Sequence, residues 1–188
     1  MRIGIYNGSF DPVHKGHIRI VRHLLKKNYL DKVLIIPTGN YWNKQDLLPV
    51  EKRIEMCKVF ENEKILVEEE YNELPYTYQL VRKLKKRYPE DELYLILGAD
   101  TVVTFDRWMH YKELLKLPFL VIRRDGIDIE EPMKRMKKTN YTVVNDLKEM
   151  DISSTYIREN IEDYQKVKDM IDIRVYRLYR KYLRETIC

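Results

Sequence analysis

The chain has 188 residues, 44% hydrophobic and 35% charged, a balance that supplies an ample core and leaves no linker, repeat or low-complexity tract. No apolar run approaches the ~20 residues of a membrane span, and the first residues enter a strand pattern rather than a signal peptide. The net charge of +5 suits an anionic small molecule as well as nucleic acid, and Cys57 and Cys188 make no disulfide framework, so one cytoplasmic domain over residues 1–188 is expected.

The apolar run at 2–6 reads as the first strand. A turn follows it, Gly8-Ser9-Phe10-Asp11-Pro12-Val13-His14-Lys15-Gly16-His17, and then a helix over 16–28 whose apolar positions 18, 21, 24 and 25 form one stripe. This order places bare backbone and two imidazoles near the positive end of a helix, where anions bind. Two of the four histidines fall here, three positions apart, so their rings point the same way. A phosphate-handling site is the first expectation. Strand, glycine turn and helix are also ordinary α/β punctuation. A metal site of His14, His17 and Asp11 matches no zinc spacing and has no cysteine nearby.

Further strands are predicted at 33–36, 65–68, 93–97, 119–123 and 141–144, and helices at 50–61, 77–88, 110–116, 131–137, 154–161 and 172–185. Strands alternating with helices predict an α/β fold, a Rossmann-like doubly wound parallel sheet with helices on both faces. The runs 33–36 and 93–97 are apolar at consecutive positions, as strands buried on both faces require. In such sheets ligands bind beyond the carboxyl ends of the strands, where strand order reverses. The Gly8–His17 turn and the segment Gly98-Ala99-Asp100 both follow strands and share that edge. The last helix carries an apolar stripe (Val175, Leu178, Tyr179, Tyr182) and a basic one (Arg174, Arg177, Lys181, Arg184). It reads as a helix packed on the domain. A homo-oligomer interface or a nucleic-acid contact is the lesser reading, since no recognised nucleic-acid module accompanies it.

Three segments carry a resemblance. His14-Lys15-Gly16-His17 resembles the [HT]-x-G-H signature of the nucleotidylyltransferase superfamily, with Gly8 to Pro12 as its lead-in loop. Ile152-Ser153-Ser154-Thr155-Tyr156-Ile157-Arg158 is similar to I-S-S-T-x-[IV]-R. Leu97-Gly98-Ala99-Asp100, followed by Arg107-Trp108, lies between them. Their order and spacing, over residues 1 to about 160, resemble the nicotinate-nucleotide adenylyltransferase family.

The resemblance implies transfer of AMP from ATP to nicotinate mononucleotide, with Mg²⁺ carried in by ATP. Gly8, Ser9, Phe10, His14, His17, Gly98, Asp100, Ile152, Ser153, Ser154 and Arg158 would bind ATP, with His14, His17 and Arg158 catalytic. Ser154 and Arg158 would meet the β- and γ-phosphates. Asp100 would contact the ribose or the metal shell, or simply cap a helix starting near Thr101. Trp108 would stack on the nicotinate ring, and Tyr76-Thr77 would recognise its carboxylate; Thr77 could equally cap the 78–88 helix. Lys44 stands where the family has His-Lys and this chain has Asn43-Lys44, and keeps a phosphate contact open there, near Trp42 and Arg53. Arg123 and its neighbour Arg124 sit at the strand end where a phosphate would lie.

Two arguments come from the residues themselves. Rings held near anions should favour the protonated donor form. Arg158, a cation near the start of a helix, opposes the macrodipole unless an anion binds there. No Ser–His–Asp or Cys–His set is present for covalent catalysis, so direct transfer is expected. The rival readings are another superfamily member, such as a pantetheine-phosphate adenylyltransferase or a cytidylyltransferase, and a non-catalytic nucleotide sensor acting on RNA through the basic helix.

Overall fold

The structure is a computed structural model and describes residues 1–40, 46–148 and 150–187. All six predicted strands form: β1 (Arg2–Gly8), β2 (Lys32–Pro37), β3 (Ile65–Val67), β4 (Glu92–Gly98), β5 (Phe119–Ile122) and β6 (Tyr141–Val144). They make one parallel sheet in the order β3-β2-β1-β4-β5-β6. Successive side chains of a strand point to opposite faces, and the sequence uses both. Val33 and Ile35 enter one core; Leu34 and Ile36 enter the other. That is why these runs are apolar without alternation.

The first core is covered by α1 (Lys15–Lys26), α2 (Val50–Lys58), α7 (Ser154–Glu159), α8 (Tyr164–Val167) and α9 (Ile173–Ile187). The second is covered by α3 (Thr77–Arg87), α4 (Ala99–Val103), α5 (Tyr111–Leu114) and α6 (Glu130–Arg135). Ile18, Val21 and Leu24 of α1 and Leu80, Val81 and Leu84 of α3 are the buried stripes, each side chain contributing roughly 1.5–3 kcal/mol by burial. α9 docks through Val175, Tyr179 and Tyr182, all buried. No described helix is long and apolar enough to cross a membrane.

Some helix bounds differ from expectation. α1 stops at Lys26 because Asn28 takes a left-handed φ of 57°, and the Tyr29 N–H turns back to the Leu24 carbonyl at 2.9 Å. α4, α8 and a 3₁₀ turn at Phe105–Arg107 had no counterpart among the predicted helices. α7 ends at Glu159, so Arg158 lies in its last turn. The macrodipole argument above therefore falls: there a cation is favourable.

Strand order reverses between β1 and β4. Their ladder runs from Arg2↔Glu92 to Ile5↔Leu95 and ends there. Yet β1 pairs with β2 as far as Gly8↔Pro37, and β4 with β5 as far as Gly98↔Ile122. The sheet thus opens between the last three residues of β1 and of β4.

Candidate active site

A cavity of about 620 Å³ fills that opening. Tyr6, Asn7 and Gly8 of β1 and Ile96, Leu97 and Gly98 of β4 form its floor. His14 and His17 stand on one side; Tyr76, Thr77 and Trp108 stand on another. Asp100, Arg123 and Arg124 complete a third, and the segment from Leu147 to Ile152 a fourth.

The two histidines begin α1 and cap each other. The His17 N–H donates to His14 Nδ1 at 3.4 Å, and the His14 N–H donates to His17 Nδ1 at 3.2 Å. This is a capping box built from imidazoles instead of hydroxyl and carboxylate. The rings stack with centroids 3.6 Å apart, and Phe10 meets His17 edge-on at 4.9 Å. Because each Nδ1 accepts, each neutral ring carries its proton on Nε2. Burial, with Arg124 nearby, pushes His14 down to about 4. Burial first, then His14 and Arg124, holds His17 well below the usual histidine range. This corrects the expectation of protonated rings. An imidazolium has no acceptor, so protonation would also break the cap. Gly16 leaves room for the same stack, since a Cβ there would crowd His14 Cε1 and Nδ1 at 3.0 Å.

The loop before them is tied down. Phe10 is buried with a φ of 48°, and Asp11 and Pro12 are buried beside it. Ser9 does not line the cavity; its carbonyl accepts from Arg53 Nη1 at 2.6 Å. The second motif packs behind this loop. Ser153 caps α7 by accepting from the Tyr156 N–H at 3.1 Å. Ser154 Oγ donates to the Pro12 carbonyl at 3.1 Å, and Arg158 Nη1 to the Asp11 carbonyl at 2.8 Å. Ile152 reaches the cavity wall; Ser153, Ser154 and Arg158 stand one layer back.

Past β4, Gly98 is the N-cap of α4 and Asp100 is its second residue, so the acid does not fill the cap position considered for it. Its carboxylate folds back so closely that a Cβ on Gly98 would sit 2.5 Å from Oδ1. Arg124 Nε lies 3.7 Å from Asp100 Oδ1. Arg123 Nε lies 4.0 Å from Asp125 Oδ1. Of the two arginines, the sequence reading placed Arg123 in the site. Both line the cavity, but Arg124 is the one that acts on both histidines. Thr77 is the first residue of α3, and the cap position belongs to Tyr76, which makes no side-chain cap. Instead Thr77 Oγ1 accepts from Asn7 Nδ2 at 3.3 Å, a wall contact that motif reading missed. Trp108 serves both readings, packing on Phe105 at 4.9 Å and facing the cavity. Lys44 and Trp42 lie outside the described residues. Arg19 and Lys148 add cations to the rim that the sequence did not single out. Among the described residues no three His, Cys, Asp or Glu side chains gather as a metal cage.

Comparison with known proteins agrees with this geometry. A cytidylyltransferase-like family profile matches residues 5–160. A Bacillus subtilis protein named nicotinate-nucleotide adenylyltransferase is 33% identical, with 98% of this chain and 96% of that protein aligned. A Fusobacterium nucleatum protein named "Probable nicotinate-nucleotide adenylyltransferase" is 34% identical over 96% of this chain and 98% of its own. Among solved structures, a Plasmodium falciparum nicotinic acid mononucleotide adenylyltransferase complexed with NaAD superposes with a TM-score of 0.80 at 23% identity, covering 96% of this chain and 95% of that one. The histidine pair, the strand reversal and these relatives place the chain in the cytidylyltransferase-like family of nucleotidyltransferases, among the nicotinate-nucleotide adenylyltransferases.

Proposed function

We propose that this enzyme transfers AMP from ATP to nicotinate mononucleotide in NAD biosynthesis, giving deamido-NAD and pyrophosphate by direct in-line attack. A phosphate oxygen of the mononucleotide attacks the α-phosphorus as the bond to the pyrophosphate oxygen breaks. The nucleophile is already an anion, so no strong base is needed. The protein has to align two polyanions and stabilise charge moving toward the leaving group. The observation that carries the reading is the paired Nε2–H donors, fixed in tautomer by their caps, at the point where the β1–β4 ladder opens. As neutral donors they can follow the developing charge without exchanging a proton.

In this reading Gly8 and the Ser9 and Phe10 N–H groups approach the triphosphate, and Arg124 adds a forked cation. Ser154 would reach phosphate by giving up its bond to the Pro12 carbonyl, whereas Ser153 only accepts in its cap and Arg158 has N–H donors beyond those on Asp11 and Thr155. Gly98 lets Asp100 fold back to where it can accept from a ribose hydroxyl or face the Mg²⁺ that ATP brings. Trp108 offers a face to the pyridine ring, and Tyr76-Thr77 offers neutral donors to its carboxylate. Lys44 and Arg123 are assigned to the mononucleotide phosphate.

Pyrophosphate release with Mg-ATP should be strong with nicotinate mononucleotide, weak with nicotinamide mononucleotide and absent with phosphopantetheine. Release with phosphopantetheine instead would keep the histidine chemistry and overturn the acceptor assignment. A trapped covalent AMP adduct would refute direct transfer.

A further inference from the structure

Arg53 is 0% exposed, yet it lies in neither motif and does not face the cavity. Its guanidinium makes four hydrogen bonds. Nε donates to the Leu48 carbonyl at 2.9 Å and Nη1 to the Ser9 carbonyl at 2.6 Å. Nη2 donates to the Thr38 carbonyl at 2.6 Å and to Asn40 Oδ1 at 2.6 Å. These acceptors belong to the loop after β1, the chain leaving β2 and the approach to α2. Asp11, buried close by, accepts from the Leu48 N–H at 3.4 Å and provides the opposite charge. A fork of five rigid donors can join three chain segments in this way; an ammonium cannot.

The consequence is directional. In a trans peptide the carbonyl and the following N–H point opposite ways. Arg53 draws the Ser9 carbonyl inward, and the Thr38 N–H and Oγ draw the Gly8 carbonyl toward β2 at 2.9 and 3.2 Å. The N–H groups of Ser9 and Phe10 are thereby turned the other way, and no acceptor takes them among the described residues. The Thr38–Gly39 peptide is fixed likewise, its carbonyl on Arg53 and its N–H on the Asn72 carbonyl at 2.8 Å.

We propose that Arg53 is a positioning residue for the transfer step, holding the Ser9–Phe10 peptide so that the Phe10 N–H meets the phosphates while registering the β2 wall against it. This rests on the reading above that the loop holds phosphate.

The test compares Arg53→Lys and Asn40→Ala with wild type, measuring kcat, KM for both substrates and thermal melting. Arg53→Lys should lower kcat about 100-fold, as expected for a misplacement near 1 Å, with each KM changing less than about fivefold. Asn40→Ala, which removes one of the four acceptors, should lower kcat a few-fold with melting near that of wild type. Wild-type kcat per folded molecule in both variants would reduce Arg53 to a core strut and overturn the proposal. Should Arg53→Lys not fold, Asn40→Ala decides: reduced kcat supports the proposal and unchanged kcat overturns it. If wild type itself does not use nicotinate mononucleotide, the reaction assignment fails separately. Calorimetry with Mg-ATP then reads the role of Arg53, weaker binding in the variant supporting it and equal binding overturning it.

Discussion

The loops that leave β1 and β4 occupy equivalent places on either side of the sheet opening, and they are built in opposite ways. The β1 loop is tied down before any ligand arrives. The carbonyls of Ser9, Asp11 and Pro12 take bonds from Arg53, Arg158 and Ser154, and the two histidines cap each other. The β4 loop carries exposed side chains: Asp100, on a helix of only five residues, is 60% exposed and lies 3.7 Å from Arg124, which is 45% exposed. Rigid donors suit the invariant part of a reaction, the phosphorus centre. Exposed side chains suit the part that must rearrange when a ligand enters.

This contrast can be broken experimentally, beginning where the largest effect is expected. His17→Ala removes one Nε2–H donor and the cap on its neighbour. It should lower kcat about 100- to 1,000-fold, as the loss of one preorganised donor does, with a much smaller change in Mg-ATP affinity by calorimetry. Equal small effects on both would show that the β1 loop is scaffold only.

The second effect is on stability against pH. His14 falls from 6.5 to about 4 in the fold, so between those values the unfolded chain binds more protons. Stability is then fully present above pH 6.5 and is lost as pH falls toward 4, by up to roughly 3 kcal/mol for this group. Denaturant titrations of wild type and His14→Gln at pH 7 and pH 4.5 should show the steeper loss in wild type. Parallel loss in both would place the acid sensitivity elsewhere.

The β4 side should respond more gently. Trp108→Ala should raise KM for nicotinate mononucleotide about tenfold through lost stacking, with kcat within about threefold. The smallest effect belongs to Asp100→Asn, because an exposed ion pair contributes about 1 kcal/mol or less. It should change turnover a few-fold and leave melting within about a degree. A fall as large as that of His17→Ala would show that the two loops are equally committed.

The sheet was legible because it leaves both of its faces in the sequence as unbroken apolar runs, and the histidine motif because it lies at the end of the first run. α4 and α8 span five and four residues, too short for a helical period to show. The imidazole charge state was misread although its cause is local: His-x-x-His at a helix start has the spacing of a capping box, and that spacing commits Nδ1 as an acceptor. Arg124 was underrated beside Arg123 because the two are adjacent past the end of β5, and which of them meets Asp100 depends on the pairing between β4 and β5. Arg53 was noted only as a neighbour of the Lys44 segment, since a buried arginine on an amphipathic helix looks like any solvated one until the loops it gathers are seen.

The early end of the β1–β4 ladder gives the protein a third sheet edge, located in its middle. Outer edges of a sheet are hazards because they invite other chains. Here the strand ends, unpaired with each other though not exposed, face across a gap lined by Tyr6, Asn7, Ile96 and Leu97. In the function proposed above, a nucleotide would sit where the missing rungs would be, so that the substrate would finish the sheet whose interruption makes the site.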